Sequence, residues 1–228
     1  MPMISELRSL LQNVKAIVFD FDGTLVYPIN ADWDRAKKKI NKLMIKKKIT
    51  LVEIDAPYLV RIVETAKKLG DKKSLEFVKK AYKFLEEEEL KTLSSLKATT
   101  DLELLLEKII KNNKKIGIFS VNSREFLRRA IDILKINKYI SALVSRDDIT
   151  NPKPHPDGIL LVCKKLNVVP KFCIMIGDSP QDILAAKKAG ARTIAVLTGR
   201  KKYRDKLLKI KPDFIIESID ILQNVFNG

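Results

Sequence analysis

Histidine, tryptophan, cysteine and aromatic side chains are all scarce in this chain: one His, one Trp, two Cys, and 7% Phe, Trp and Tyr together. The two cysteines, Cys163 and Cys173, lie in apolar segments ("ILLVCKKL" and "KFCIMIGD"), which predicts buried free thiols in a reducing compartment rather than a disulfide. No apolar run approaches the length that spans a bilayer. The first residues, "MPMISELRSLLQNVK", have neither a long apolar core nor a small-residue cleavage site, so no secretory signal is expected and the cytoplasm is the expected compartment. Nothing reads as low-complexity or disordered.

Positive charge is what the chain has in excess: 44 Lys and Arg against 28 Asp and Glu, a net +16. Basic faces neutralise phosphates, so a nucleic-acid partner has to be considered. The lysines, however, run along the whole chain mixed with glutamates, and no basic stripe interleaved with aromatics occurs. The pattern fits a solvated, lysine-rich surface, which would also attract small phosphorylated anions. With 228 residues and a 46% hydrophobic fraction, the chain can build one large domain or a core domain with an insert.

Texture along the chain favours the second arrangement. After an amphipathic N-terminal piece, "KAIVFD" reads as a buried strand. Residues 26–97 then carry apolar positions at helical spacing in Lys/Glu-rich stretches such as "RAKKKINKLMIKKKI", "YLVRIVETAKKL" and "SLEFVKKAYKFLEEEEL". From Thr100 strands and helices alternate. "TDLE" has the spacing of a capping box, Asn122 and Glu125 stand in capping-box positions, and "SPQDILAAKKAG" has Ser at the N-cap, Pro next and Gly past its end. "KKYRDKLLKI" reads as a helix and "SIDILQNVF" as the last one. Apolar strands alternating with helices belong to a parallel sheet covered on both faces. The predicted fold is α/β, a parallel-sheet core of residues 1–25 and 98–228 with a helical insert of residues 26–97.

In such sheets ligands bind beyond the carboxyl ends of the strands. The polar residues ending the strands are Asp20 and Asp22 in "DFDGTL", Ser120 after "GIF", Lys153 in "KPHPD", and Asp178 with Asp182 in "GDSPQD". Each has an ordinary reading: Asp22-Gly23 as a turn, Ser120 as a strand-end hydroxyl, Lys153 as solvated, Asp182 as a helix cap. Together they gather acids, a hydroxyl and a lysine along one sheet edge, where paired carboxylates need a cation.

In order and spacing these segments resemble the four motifs of the haloacid dehalogenase-like hydrolases, with the helical insert similar to the cap of the phosphoglycolate phosphatase and beta-phosphoglucomutase-like branch. The resemblance implies a Rossmann-like core, Mg²⁺ as cofactor, and a phosphatase acting on a small phosphorylated metabolite. In that scheme Asp20 is the nucleophile forming an aspartyl-phosphate, Asp22 the acid and then base, and Ser120 a partner of the phosphoryl group. Lys153 compensates charge. Mg²⁺ falls to Asp20, Asp178 and the main-chain carbonyl of Asp22. Asp182, Thr24, Gly23 and Asn122 support them, Asp182 by orienting Lys153 or metal-bound water or else as a cap. Asp22 favours phosphate chemistry over dehalogenation, because a leaving halide needs no proton. A phosphomutase is the nearest alternative, and a non-catalytic basic nucleic-acid-binding module the alternative of another class. The protein is expected to act as a monomer or homodimer.

Several residues are given lesser parts. His155 is assigned to loop structure, Trp33 to packing at a helix start, and the run "EEEE" at 86–89 to a solvated helix face. Arg35, Lys37 and Lys38 read first as a solvated lysine face and second as substrate contacts. "VYP" at 26–28 departs from the Asp-Ser pair that many relatives carry after "DGTL".

Overall fold

The computed structural model describes residues 2–199 and 203–226. Among them, β1 (Ala16–Phe19), β2 (Lys115–Phe119), β3 (Ala142–Val144), β4 (Cys173–Gly177), β5 (Arg192–Val196) and β6 (Phe214–Ile216) form one sheet. Its order is β3-β2-β1-β4-β5-β6, and every neighbouring pair is parallel. The α/β, Rossmann-like architecture expected from the alternating pattern is therefore present. The chain builds from β1 outward to β3, then crosses back to place β4 on the other side of β1. That reversal puts the topological switch point between β1 and β4, where a ligand crevice opens.

Helices cover both faces. Alternate side chains of one strand serve opposite layers, so Ile17 and Phe19 join one hydrophobic cluster while Ala16 and Val18 join the other. The first cluster takes residues from α1 (Pro2–Gln12), α5 (Leu102–Lys111), α6 (Arg124–Ile133) and α10 (Ile221–Val225). The second is closed by α7 (Asp157–Leu166) and α8 (Pro180–Ala189), and α9 (Arg204–Lys209) packs a third, smaller cluster through Leu207. Lys201 and Lys202 of the expected "KKYRDKLLKI" helix lie outside the described residues. Cys163 and Cys173 are buried free thiols.

Between β1 and α5 the chain forms α2 (Trp33–Lys47), α3 (Tyr58–Lys67) and α4 (Asp71–Leu90), which share a hydrophobic cluster of their own. In α4 the buried row is Phe77, Ala81 and Leu85, four residues apart, as one helix face requires. The two strands of chain joining these helices to the sheet run side by side. Val26 forms an antiparallel bridge with Ala98, and the Tyr27 N–H donates to the Lys97 carbonyl at 2.9 Å.

Three local expectations are corrected. Helix α6 is capped by Ser123, whose hydroxyl accepts from Phe126 N, and not by Asn122, whose amide is engaged elsewhere. Helix α5 is capped by Asp101 rather than Thr100. The "EEEE" run is not a solvated face: Glu88 and Glu89 are only 2% and 1% exposed. Four consecutive helical residues turn through about 300°, so some of the run must face inward. Glu89 continues the row of Leu85.

Candidate active site

Asp20 extends β1 by one residue, its N–H donating to the Ile176 carbonyl at 2.9 Å. A tight turn follows, in which Leu25 N and Val26 N both donate to the Phe21 carbonyl. The turn folds Asp22 back above the strand end, where its Oδ1 accepts from Ile29 N at 2.7 Å. Gly23 is required within this turn. Its φ is +97°, and a Cβ there would lie 2.4 Å from Asp178 Oδ2. Gly199 also packs against this carboxylate, with a Cβ position 2.1 Å from Oδ2. Two backbones thus close around Asp178, which follows β4. Thr24 is buried and holds the loop through its carbonyl, which accepts from Thr99 Oγ1 at 2.7 Å.

Lys153 reaches the same point from the loop after β3. It is 4% exposed, and its Nζ donates to Asp20 Oδ1 at 2.8 Å, Asp182 Oδ1 at 2.6 Å and the Phe119 carbonyl at 2.8 Å. The two readings of Asp182 turn out to be compatible, because its oxygens divide the work. Oδ1 takes Lys153, while Oδ2 accepts from Ser179 N and Oγ to complete the capping box of α8. Ser120 follows β2, and its Oγ donates to Asn122 Oδ1 at 2.7 Å.

Among the described residues, three carboxylates crowd around one lysine. Asp20, Asp178 and Asp182 are buried with carboxylate oxygens within 4.8 Å of one another, and Lys153 is the cation that bonds two of them. Burial, followed by the neighbouring charge of Asp182, pushes the Asp20 carboxyl up to about 8, even though Lys153 pulls it down; Asp178 adds to the rise. Burial would lower the Lys153 ammonium, but Asp182 and Asp20 outweigh it and hold it above its usual value. A buried, all-oxygen anionic cluster suits a hard divalent cation. Both oxygens of Asp182 are already engaged, one by Lys153 and the other by the capping box of α8.

Above these residues lies a cavity of about 370 Å³, its floor formed by Asp20, Asp22, Ser120, Lys153, Asp178 and Asp182. The helical insert supplies Trp33, Lys37, Tyr58 and Leu85 to its walls. Lys37 therefore does face the cleft, whereas Arg35 ion-pairs with buried Glu88. Trp33 packs against the first cluster of the sheet and against the cluster of the helical insert, and lines the cavity as well. His155 pairs with Asp157 at 2.8 Å, at the start of α7. Sequence reasoning missed Glu89 and Arg146 in the cavity wall, although the spacing of Glu89 from Leu85 was a readable signal.

The model of the family described as haloacid dehalogenase-like hydrolase matches residues 17–196. The chain belongs to that family. It is 28% identical over 210 residues to pyrophosphatase PpaX of Oceanobacillus iheyensis, covering 91% of this chain and 94% of that one. It is 35% identical over 107 residues to phosphoglycolate phosphatase of Escherichia coli, 47% of this chain and 42% of the relative. Among solved structures, beta-phosphoglucomutase from Clostridium difficile superposes with a TM-score of 0.62 at 22% identity, covering 94% and 97% of the two chains. This last likeness speaks to fold alone. As a haloacid dehalogenase-like hydrolase, the protein is an enzyme, and among its described residues no helix is long and apolar enough to cross a membrane.

Proposed function

We propose that this hydrolase is a Mg²⁺-dependent phosphatase of small phosphorylated metabolites, working through an aspartyl-phosphate on Asp20. The observation that carries the reading is the 2.8 Å contact between Asp20 and the buried Lys153 beside Asp178, at the floor of the cavity. A carboxylate at a strand end, held by a lysine and facing a cleft, is placed to attack phosphorus. The bond to the leaving oxygen breaks as the bond to Asp20 forms. Asp22, held above Asp20 by Ile29 N, hands a proton to that oxygen and later takes one from the water that releases phosphate. Lys153 stabilises negative charge on nucleophile and phosphoryl oxygens, and Ser120, whose hydroxyl otherwise donates to Asn122, turns it to the phosphoryl group. Asp182 holds Lys153 on target. Mg²⁺, held by Asp20, Asp178 and the Asp22 main-chain carbonyl, would supply the charge neutralisation that a carboxylate approaching a phosphate dianion needs.

A cavity of about 370 Å³ fits a phosphoryl group with a small organic remainder, and the helical insert acts as the cap that excludes bulk water. The names of the relatives, a pyrophosphatase and a phosphoglycolate phosphatase, agree with a small phosphorylated substrate. The test is Asp20→Asn against p-nitrophenyl phosphate with Mg²⁺. The variant should fold normally and release no phosphate, and turnover equal to wild type would refute the proposal. Incubation with a sugar phosphate, analysed for isomer and for free phosphate, separates it from a phosphomutase.

A further inference from the structure

Glu89 closes the last turn of α4, in the helical insert, yet its carboxylate is spent on the sheet domain. Every neighbour it bonds is a donor. Oε1 accepts from Asn122 Nδ2 at 3.2 Å and from Arg146 Nη1, and Oε2 accepts from Ser123 N at 3.1 Å. Arg146, from the exit of β3, is 1% exposed and encircles the same loop. Its Nη1 also donates to the Val121 carbonyl at 3.1 Å, its main-chain N to the Asn122 carbonyl at 3.1 Å, and its Nη2 to the Tyr82 carbonyl on α4 at 3.1 Å. The guanidinium also lies 5.4 Å from the centre of the Tyr82 ring.

An ionised carboxylate only accepts, so Asn122 must turn its NH₂ toward Glu89. Its carbonyl oxygen is thereby left facing Ser120, whose hydroxyl it receives at 2.7 Å. The orientation of Ser120 is thus dictated two bonds away by a residue of the insert. We infer that Glu89, neutralised by Arg146, is a positioning residue that sets the Ser120–Ser123 loop for the incoming phosphoryl group, acting on substrate only through Asn122 and Ser120. The inference rests on the phosphatase reading for its kinetic test, but phosphate binding reads it separately. The insert then does more than roof the cavity: its longest helix organises the phosphoryl-binding side of the floor.

The test is Glu89→Gln, which keeps the shape but sets an NH₂ against an array of donors. The KM for p-nitrophenyl phosphate and the dissociation constant of inorganic phosphate, measured by calorimetry, should rise together by about tenfold, the scale of one charge-assisted hydrogen bond. The value of kcat and the half-saturating Mg²⁺ concentration should stay within about twofold, a split that general loosening of the fold does not produce. Arg146→Lys keeps a cation beside Glu89 and should weaken phosphate binding less. If Glu89→Gln does not fold, Arg146→Lys decides alone, by a measurable rise in the phosphate constant. Unchanged phosphate binding in the folded variants, or Mg²⁺ half-saturation shifting by the same factor as phosphate, overturns the inference. A wild type that binds phosphate without turning over aryl phosphate counts against the phosphatase reading and leaves the positioning role measurable by calorimetry.

Discussion

Under the proposed mechanism, binding of Mg²⁺ should displace a proton, and the pH at which it stops doing so is set by the burial of Asp20 and by the carboxylate of Asp182 beside it. Without metal the Asp20 carboxyl sits near pH 8, raised by burial and then by Asp182. A ligating carboxylate must be ionised, so the apparent dissociation constant for the metal scales as one plus the ratio of protonated to ionised Asp20. That ratio is about 100 at pH 6, about 10 at pH 7 and about 1 at pH 8. Apparent affinity should therefore climb by about fiftyfold from pH 6 to pH 8 and by less than a further twofold above it. The assay is calorimetric titration of the protein with MgCl₂ across that range, in two buffers of different ionisation enthalpy, to count released protons. About one proton per metal is expected at pH 6.5 and about half at pH 8. Asp182→Asn removes the second-largest cause of the rise and should move the plateau to lower pH. Folding stability gives an independent check. The native metal-free protein binds a proton between pH 4 and 8 that the unfolded chain has lost, so this group makes stability fall as pH rises through that window. Affinity that is flat from pH 6 to 8, with no proton released, would show that Asp20 is ionised throughout and the charge argument is wrong.

Two further outcomes are expected. Lys153→Met should lower kcat by about a hundredfold to a thousandfold at saturating Mg²⁺, since it removes the cation bonded to Asp20 and Asp182; activity within tenfold of wild type contradicts its role. Gly23→Ala should destabilise the fold by about 1–3 kcal/mol in urea unfolding, because φ is +97° and the new methyl would lie 2.4 Å from Asp178 Oδ2. The same variant should weaken Mg²⁺ half-saturation, and an unchanged value would mean that Asp178 does not hold the metal.

The alternating strands, the run of helices between β1 and α5 and the polar strand ends were all legible in the sequence. Strand ends are readable because a parallel sheet aligns them whatever the details of packing. Apolar runs such as "AIVF" and "CIMIG" state both their burial and where it stops. The start of α6 was misplaced by one residue because Asn and Ser are equally good caps. Asn122 was drawn away by Glu89, 33 residues before it, and by Ser120, only two residues before it.

What the sequence alone determined is the class of fold and the identity of the groups at the sheet edge, since both follow from local pattern and from parallel-sheet geometry. Tertiary structure alone decided the partnerships. Lys153 divides its protons among Asp20, Asp182 and the Phe119 carbonyl, Asp182 serves helix and lysine with separate oxygens, and Glu89 leaves solvent to pair with Arg146. A charged residue reads as exposed until the partner that neutralises it is known. Here that partner lies 57 residues away, at a distance only folding closes.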